Sequence, residues 1–242
     1  MEAPSPRKPR IHFVSLVSVE HDIDLLPYFF PHYDGIGADN YCIFLHEGPD
    51  TDANLWAEGA AKAVGWKSRF VPRGASYGNG ELKRALLEKF RRSCPPTDYI
   101  VCADGDEFQN WDTALPHEAV EKGVDMVLGK RVDRFNEKLL PINHEMELEE
   151  NFPLEHENLS KVLFPRRPRA RDKIVMARAQ VPVDYKHCTN LSVRDPGRLS
   201  VADGVPILHF KWRRGILNRL AERPDYTPQE LQAIKHFFEM EK

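Results

Sequence analysis

The densest chemistry in this chain lies in Tyr99–Phe108, which reads YIVCADGDEF. Tyr99 to Ala103 is a β-branched and aromatic run too short for a helix, so it reads as a buried strand. It delivers Asp104, Asp106 and Glu107 into a turn, with Gly105 between the two aspartates to relieve crowding. Closely placed carboxylates repel one another unless a cation joins them, which makes a hard divalent metal the natural partner. Magnesium or manganese held by one or two carboxylates completes its shell with water and substrate phosphates. Asp-Gly is also an ordinary turn signal. The motif gains meaning from the strand before it and the Glu-Phe after it.

Other side chains with chemical potential are scattered. His209 interrupts the apolar run Val205–Trp212 (VPILHFKW), and Lys211 follows it. Arg166, Arg167, Arg169 and Arg171 form a basic cluster after the acidic stretch Glu145–Glu157. Such a cluster can hold phosphate by bidentate contacts, or simply balance the acidic segment. Asp133 and Glu137 are carboxylates past the turn, and Asp133 is the favoured candidate for a general base. Its plainer reading is a salt bridge to Arg131 or Arg134. His187 reads as an ordinary polar residue. Trp111 and Trp212 could stack on a ring of a ligand, although tryptophan more often packs a core.

Elements that could position these groups follow from periodicity. Ile11–Val19 (IHFVSLVSV) is a strand buried on both faces, delivering Glu20-His21-Asp22 to the same edge as the Asp-Gly-Asp turn. Asp22 is a candidate cap for a helix carrying Leu25, Leu26, Phe29 and Phe30, with Pro27 and Pro31 limiting it. Asn40–Leu45 is a second strand, followed by a loop from His46 to Asp52. A helix fits Ala53–Val64, stopped by Gly65. Ser68–Val71 is a third strand. Glu81–Arg92 is a helix with Leu82, Ala85, Leu86 and Phe90 on one face and its Lys and Arg residues on the other. Gly74–Gly80 is glycine-rich but lacks the spacing of a phosphate-binding loop.

Strands alternating with helices predict a parallel sheet covered on both faces. Ligands of such sheets bind at the carboxyl ends of the strands. The second half is less regular, with strands expected over Val124–Leu128, Lys173–Arg178 and Val205–Trp212. Helices are expected over Gly215–Arg223 and from the capping box Thr227-Pro228-Gln229-Glu230 onward.

A βαβαβ half ending in Asp-x-Asp-Glu-Phe, then an irregular half closing on apolar-His-Phe-Lys-Trp, resembles nucleotide-sugar glycosyltransferases of the GT-A fold, family 2 and its relatives. The resemblance spans roughly residues 10–215. It implies an α/β fold of Rossmann-like type: a mostly parallel sheet flanked by helices, an acceptor-side second half and C-terminal helices. It implies a flexible tail over 1–9, one transferase domain over 10–215 and a helical extension over 216–242.

The resemblance also assigns residues. Asp106 would bind Mn²⁺ or Mg²⁺. Asp104 would contact the ribose, or the metal through water. His209 would reach the metal or the diphosphate. The opening strand of such enzymes ends near Asn-Glu; Glu20 fits, but Val19 replaces the Asn. The second-strand loop is reduced to Glu47-Gly-Pro-Asp50-Thr-Asp52, which leaves the donor base open. Glu20, Glu47, Asp104, Arg166 and Lys211 would line the nucleotide-sugar. The implied activity is inverting transfer of a sugar from a nucleotide-diphospho-sugar to a glycan or other hydroxyl acceptor. Departing diphosphate carries extra charge that a metal stabilises.

Two other readings remain. One is a sugar nucleotidyltransferase, which usually shows a glycine-rich signature after the first strand, where this chain has Val19-Glu-His-Asp. The other is a catalytically silent module of the same fold that binds a glycan or a protein partner. Neither G-x-S-x-G nor H-E-x-x-H is present.

Composition sets the outer bounds. The 242 residues suffice for one large α/β domain with a sizeable core. A formal net charge of -3 gives no general drive toward nucleic acid or anionic membrane. No apolar run approaches the roughly 18 residues of a membrane span. The proline-rich start has no apolar core of a secretory signal. Cys42, Cys94, Cys102 and Cys188 show no C-x-x-C spacing. A reduced, cytoplasmic setting is expected, with peripheral contact to the inner membrane face by analogy with the family.

Overall fold

The computed structural model describes residues 7–47, 54, 57–59, 67–71, 80–112, 114–157, 159–163, 172–185, 188, 199–221 and 226–239. Its frame is one sheet. Strands β1 (Ile11–Ser18), β2 (Asn40–His46), β3 (Lys67–Val71) and β4 (Tyr99–Asp104) lie in the order β3-β2-β1-β4, all parallel. Beyond β4 the order continues through β8 (Asp172–Arg178), β6 (Met126–Phe135), β9 (Val201–Trp212) and β5 (Glu107–Gln109). β8 is antiparallel to both β4 and β6, β9 is parallel to β6, and β5 is antiparallel to β9. A short β7 (Leu154–His156) pairs with the end of β6. This is an α/β fold of GT-A, Rossmann-like type, with a parallel half joined through β8 to a second, mixed half.

The parallel half forms because its strands have no polar face. In β1 every residue but His12 is buried, and β2 and β4 are nearly as apolar. Each fully buried Phe, Leu, Ile or Val contributes roughly 1.5–3 kcal/mol. Helix α1 (Val19–Asp22) follows β1 directly, and α2 (Leu26–Asp34) covers one face with Leu26, Phe29, Phe30 and Tyr33. Phe13 of β1 stacks on Tyr33 at 4.4 Å between centroids.

Asp22 does not cap α2, as the sequence suggested. Ser18 accepts from His21 N–H at the start of α1, and Asp22 is buried at the sheet edge. Of the helix expected over 53–64, only residues 54 and 57–59 are described, and they are helical.

The opposite face is covered by α3 (Glu81–Ser93). Its inward stripe is not the expected one. Lys83 and Leu87 are buried, Leu82, Leu86 and Phe90 are partly buried, and Ala85 is exposed. The helix is turned so that a lysine reaches the sheet edge.

Helices α4 (Leu115–Glu121), α5 (Leu148–Asn151) and α6 (Leu159–Leu163) fill the second half. Helices α7 (Ile216–Ala221) and α8 (Pro228–Glu239) pack Ile216, Leu220 and Ile234 against Phe135, Leu159 and Trp212. The capping box at the start of α8 forms: Glu230 accepts from Thr227 N–H at 2.8 Å, and Thr227 Oγ1 accepts from Glu230 N–H at 3.3 Å. Near the other end of the chain, Arg7 is ion-paired with buried Asp98.

Candidate active site

Parallel strands β1 and β4 end side by side, Leu16 opposite Asp104. The Asp104-Gly-Asp106 turn therefore lies against α1. Gly105 is required there by space: a Cβ on it would stand 2.6 Å from Asp22 Oδ2. Asp22 cannot retreat easily. It is about 1% exposed and is bonded to Arg213 Nη2 at 3.0 Å and Ser18 N–H at 3.3 Å. Buried Arg213 also donates to the carbonyls of His21 (2.5 Å) and Phe210 (2.8 Å) and to Asp24 Oδ2 at 3.1 Å. One guanidinium thus ties the end of β9 to α1.

The two aspartates of the motif have different surroundings. Asp104 Oδ1 accepts from Lys83 Nζ, and Asp104 Oδ2 accepts from Lys173 Nζ at 2.8 Å. Lys173, at the start of β8, also bonds both oxygens of buried Glu107 at 2.6 Å. Two ammoniums and two carboxylates so form a compact, charge-balanced cluster. Burial pushes the Asp104 carboxyl upward, but Lys173 and Lys83 outweigh it and hold the group well below the usual carboxylate range. Burial likewise opposes the charge of Lys173, and Asp104 and Glu107 more than compensate.

Asp106 faces the other way, toward β9. Its Oδ2 lies 3.7 Å from His209 Nε2. His209 sits opposite Asp133 in the parallel pairing of β6 and β9, and its Nδ1 is 2.5 Å from Asp133 Oδ1. A carboxylate only accepts, so Nδ1 is the donor, and a neutral ring presents the Nε2 lone pair to Asp106. Asp133 is fully buried, and its Oδ2 accepts from Leu159 N–H at 2.7 Å. Burial raises the Asp133 carboxyl, but the bond and charge of His209 prevail and lower it from 3.8 to about 2. For Asp106, burial acts upward, and His209, Arg219 and Arg213 together bring it below its ordinary value.

The residues can be tested for fit to a divalent metal. Each oxygen of Asp104 is taken by an ammonium, so Asp104 does not fit as a direct ligand. Asp106 and His209 do fit. A ligating histidine usually donates its other ring N–H to a carboxylate, as His209 does to Asp133. Among the described residues no group of three or more His, Cys, Asp or Glu side chains is arranged to hold a metal. Magnesium and manganese need only one or two protein ligands when phosphates supply the rest.

The other sequence candidates are dispersed. Glu20 is partly buried on α1, and Glu47 follows β2 at the same edge. Lys211 turns away toward the C-terminal helices: its Nζ is 3.3 Å from Tyr226 Oη and 5.1 Å from the Trp212 ring centre. Trp212 is fully buried, and buried Trp111 donates to Gln109 Oε1 at 2.9 Å, so both pack the core. Glu137 is exposed just past β6. Arg166, Arg167, Arg169, Arg171 and His187 lie outside the described residues.

Sequence reading missed Lys83, Lys173 and Arg213, and it set Asp22 at this edge without its bond to Arg213. Lys83 stands at a helix position that only the sheet turns inward. The one local hint was Lys173, a charge opening an otherwise apolar strand run. His21 was noted but not its burial, which with Arg219 and Arg213 lowers it from 6.5 to about 4.

Compared with known proteins, no family model and no curated protein matches this chain. Solved structures do. A mannosyltransferase from Pyrobaculum calidifontis, in complex with GDP-Man and Mn²⁺, is 11% identical with a TM-score of 0.46; the match covers 96% of this chain and 70% of that one. Glucosyl-3-phosphoglycerate synthase from Mycobacterium tuberculosis, in complex with Mn²⁺, UDP and glucosyl-3-phosphoglycerate, is 14% identical, with a TM-score of 0.44 and coverage of 98% and 84%. A 4-diphosphocytidyl-2C-methyl-D-erythritol synthase is 10% identical, with a TM-score of 0.44 and coverage of 96% and 99%. These similarities are distant. What the site can do follows from its own residues. Among the described residues no helix is long and apolar enough to cross a membrane.

Proposed function

We propose that this protein is a metal-dependent glycosyltransferase that moves a sugar from a nucleotide-diphospho-sugar to an acceptor hydroxyl. The observation that carries this reading is the Asp106–His209–Asp133 line at the sheet edge. It offers one carboxylate and one imidazole nitrogen, 3.7 Å apart, with the far side of the ring fixed by a buried carboxylate.

Mn²⁺ or Mg²⁺ bound by Asp106 and His209 would stabilise the charge that develops on the departing diphosphate. Asp133 keeps His209 in the Nδ1–H tautomer and holds its ring orientation. With both oxygens engaged and no exposure to solvent, it supports a positioning role rather than that of the base for the acceptor. Lys83 and Lys173 fix Asp104 at the floor of the site, where a carboxylate can accept from a ribose hydroxyl. Arg213 holds α1 against the motif turn, close enough that Asp106 acts on His21 electrostatically.

A thermal-shift panel of UDP, GDP, CDP and dTDP, with and without Mn²⁺, tests this. A ligand at about a hundred times its Kd stabilises by about 2.7 kcal/mol. For a chain of this size that is roughly 5–10 °C. One diphosphate should raise the melting temperature, only with metal. Asp106→Ala should lose that shift while keeping its own melting temperature near wild type, and His209→Ala should retain part of it. An absence of any nucleotide shift would favour a silent module that binds glycan or protein.

A further inference from the structure

Behind Asp104 lies a second chemical feature that the transferase reading does not use. Cys102 of β4 and Cys188 are both buried, with their sulfurs 3.3 Å apart. They are reduced and lie together in the apolar layer under α3. Cys188 is held firmly. Its carbonyl accepts from Ile174 N–H at 2.7 Å, and its own N–H donates to Asp184 at 3.1 Å. Its φ of 49° is one that side-chain-bearing residues rarely adopt. The surrounding structure thus keeps an unfavourable backbone conformation whose result is to aim Sγ at Cys102. Lys83 Nζ donates to Cys188 Sγ at 3.4 Å, which favours its thiolate as the attacking sulfur.

We propose that Cys102 and Cys188 are a redox-sensitive pair that a peroxide closes to a disulfide, pinning Cys188 to β4 one contact away from Asp104. The Cys188 thiolate attacks a peroxide oxygen and becomes a sulfenic acid, releasing hydroxide, or water once a proton is taken up. The Cys102 sulfur then attacks the sulfenic sulfur, forming the S–S bond as water leaves. Two thiols and one hydrogen peroxide give one disulfide and two waters, so the thiols are oxidised and the peroxide reduced. The sulfurs need to close by only about 1.3 Å to reach disulfide length. This holds whatever reaction the Asp104 edge performs.

The full-length protein is treated with hydrogen peroxide, quenched, alkylated, and mapped by mass spectrometry without reducing agent. The expected product is a Cys102–Cys188 linked peptide, with Cys42 and Cys94 alkylated and the intact protein lighter by two hydrogens. Because the link closes a long loop, the oxidised protein should melt several degrees higher, and dithiothreitol should reverse the rise. Cys188→Ser and Cys102→Ser should each abolish both the linked peptide and the rise. Four alkylated thiols after treatment would overturn the pair, as would a link through Cys42 or Cys94, or a sulfinic acid without any link. Wild-type mapping alone decides this if either variant folds poorly.

Discussion

Replacing Asp133 by Asn tests the line that positions His209. The carboxyl is fully buried and lowered from 3.8 to about 2, mainly by His209 acting against burial. Holding this carboxyl in its charged form stabilises the fold by roughly 2–3 kcal/mol at neutral pH. Because the folded value is depressed, this stabilisation is present above pH 3.8 and is lost as pH falls through about 2. At pH 3 roughly half of it remains. The Asn side chain has one acceptor, but His209 Nδ1 and Leu159 N–H both need one. One buried donor is left unmet, adding a cost of about 1–3 kcal/mol that does not depend on pH. Urea unfolding of Asp133→Asn and wild type should therefore differ by about 3–5 kcal/mol at pH 7. The gap should be about 1 kcal/mol smaller at pH 3. A gap under about 1 kcal/mol at pH 7, or one equal at both pH values, would refute the buried Asp133–His209 bond and with it the account of how His209 is held.

Three further expectations follow from the same geometry. Gly105→Ala sets a methyl group against Asp22, which Arg213 holds in place, so chemical denaturation should show a loss of roughly 1–3 kcal/mol. His21 is kept neutral by burial, its value lowered from 6.5 to about 4, so the unfolded chain binds the proton more readily. Stability should fall as pH drops from 6.5 toward 4, by at most about 3 kcal/mol, and His21→Gln should flatten that slope in a pH series of melting curves. Thr227→Ala removes the cap of α8 and should cost about 1 kcal/mol in urea unfolding, without affecting any nucleotide-dependent shift.

The parallel half was legible because its strands are buried on both faces. A run such as IHFVSLVS has one sensible structure, and the alternating helices leave one sensible sheet. The Asp-Gly-Asp turn was legible for the same reason: it ends such a strand. Asp133 and His209 were each visible as candidates, but not as partners. They are 76 residues apart in sequence and meet only through the register of β6 against β9. Reading each alone, one sees two separate candidates where the fold makes a hydrogen-bonded pair. Lys83 was hidden by its type. On a helix with abundant Lys and Arg, periodicity assigns lysine to solvent, and only the closeness of Asp104 pays for turning it inward.

That inward turn changes what the motif means. An Asp-x-Asp motif read as two metal ligands would hold two negative charges at one sheet edge with only a bound cation to reconcile them. Here Asp104 and Glu107 are balanced by Lys83 and Lys173 within the fold itself. The edge can therefore assemble without metal, since its like charges are already paired. Asp106, joined to the cluster by a single glycine and turned toward His209, is the one carboxylate of the turn facing the histidine. Replacing Asp104 would unbalance two buried ammoniums and damage the fold, whereas replacing Asp106 leaves that cluster paired. Two aspartates separated by one residue thus meet different partners, Asp104 the two lysines and Asp106 the histidine, a division that spacing alone does not encode.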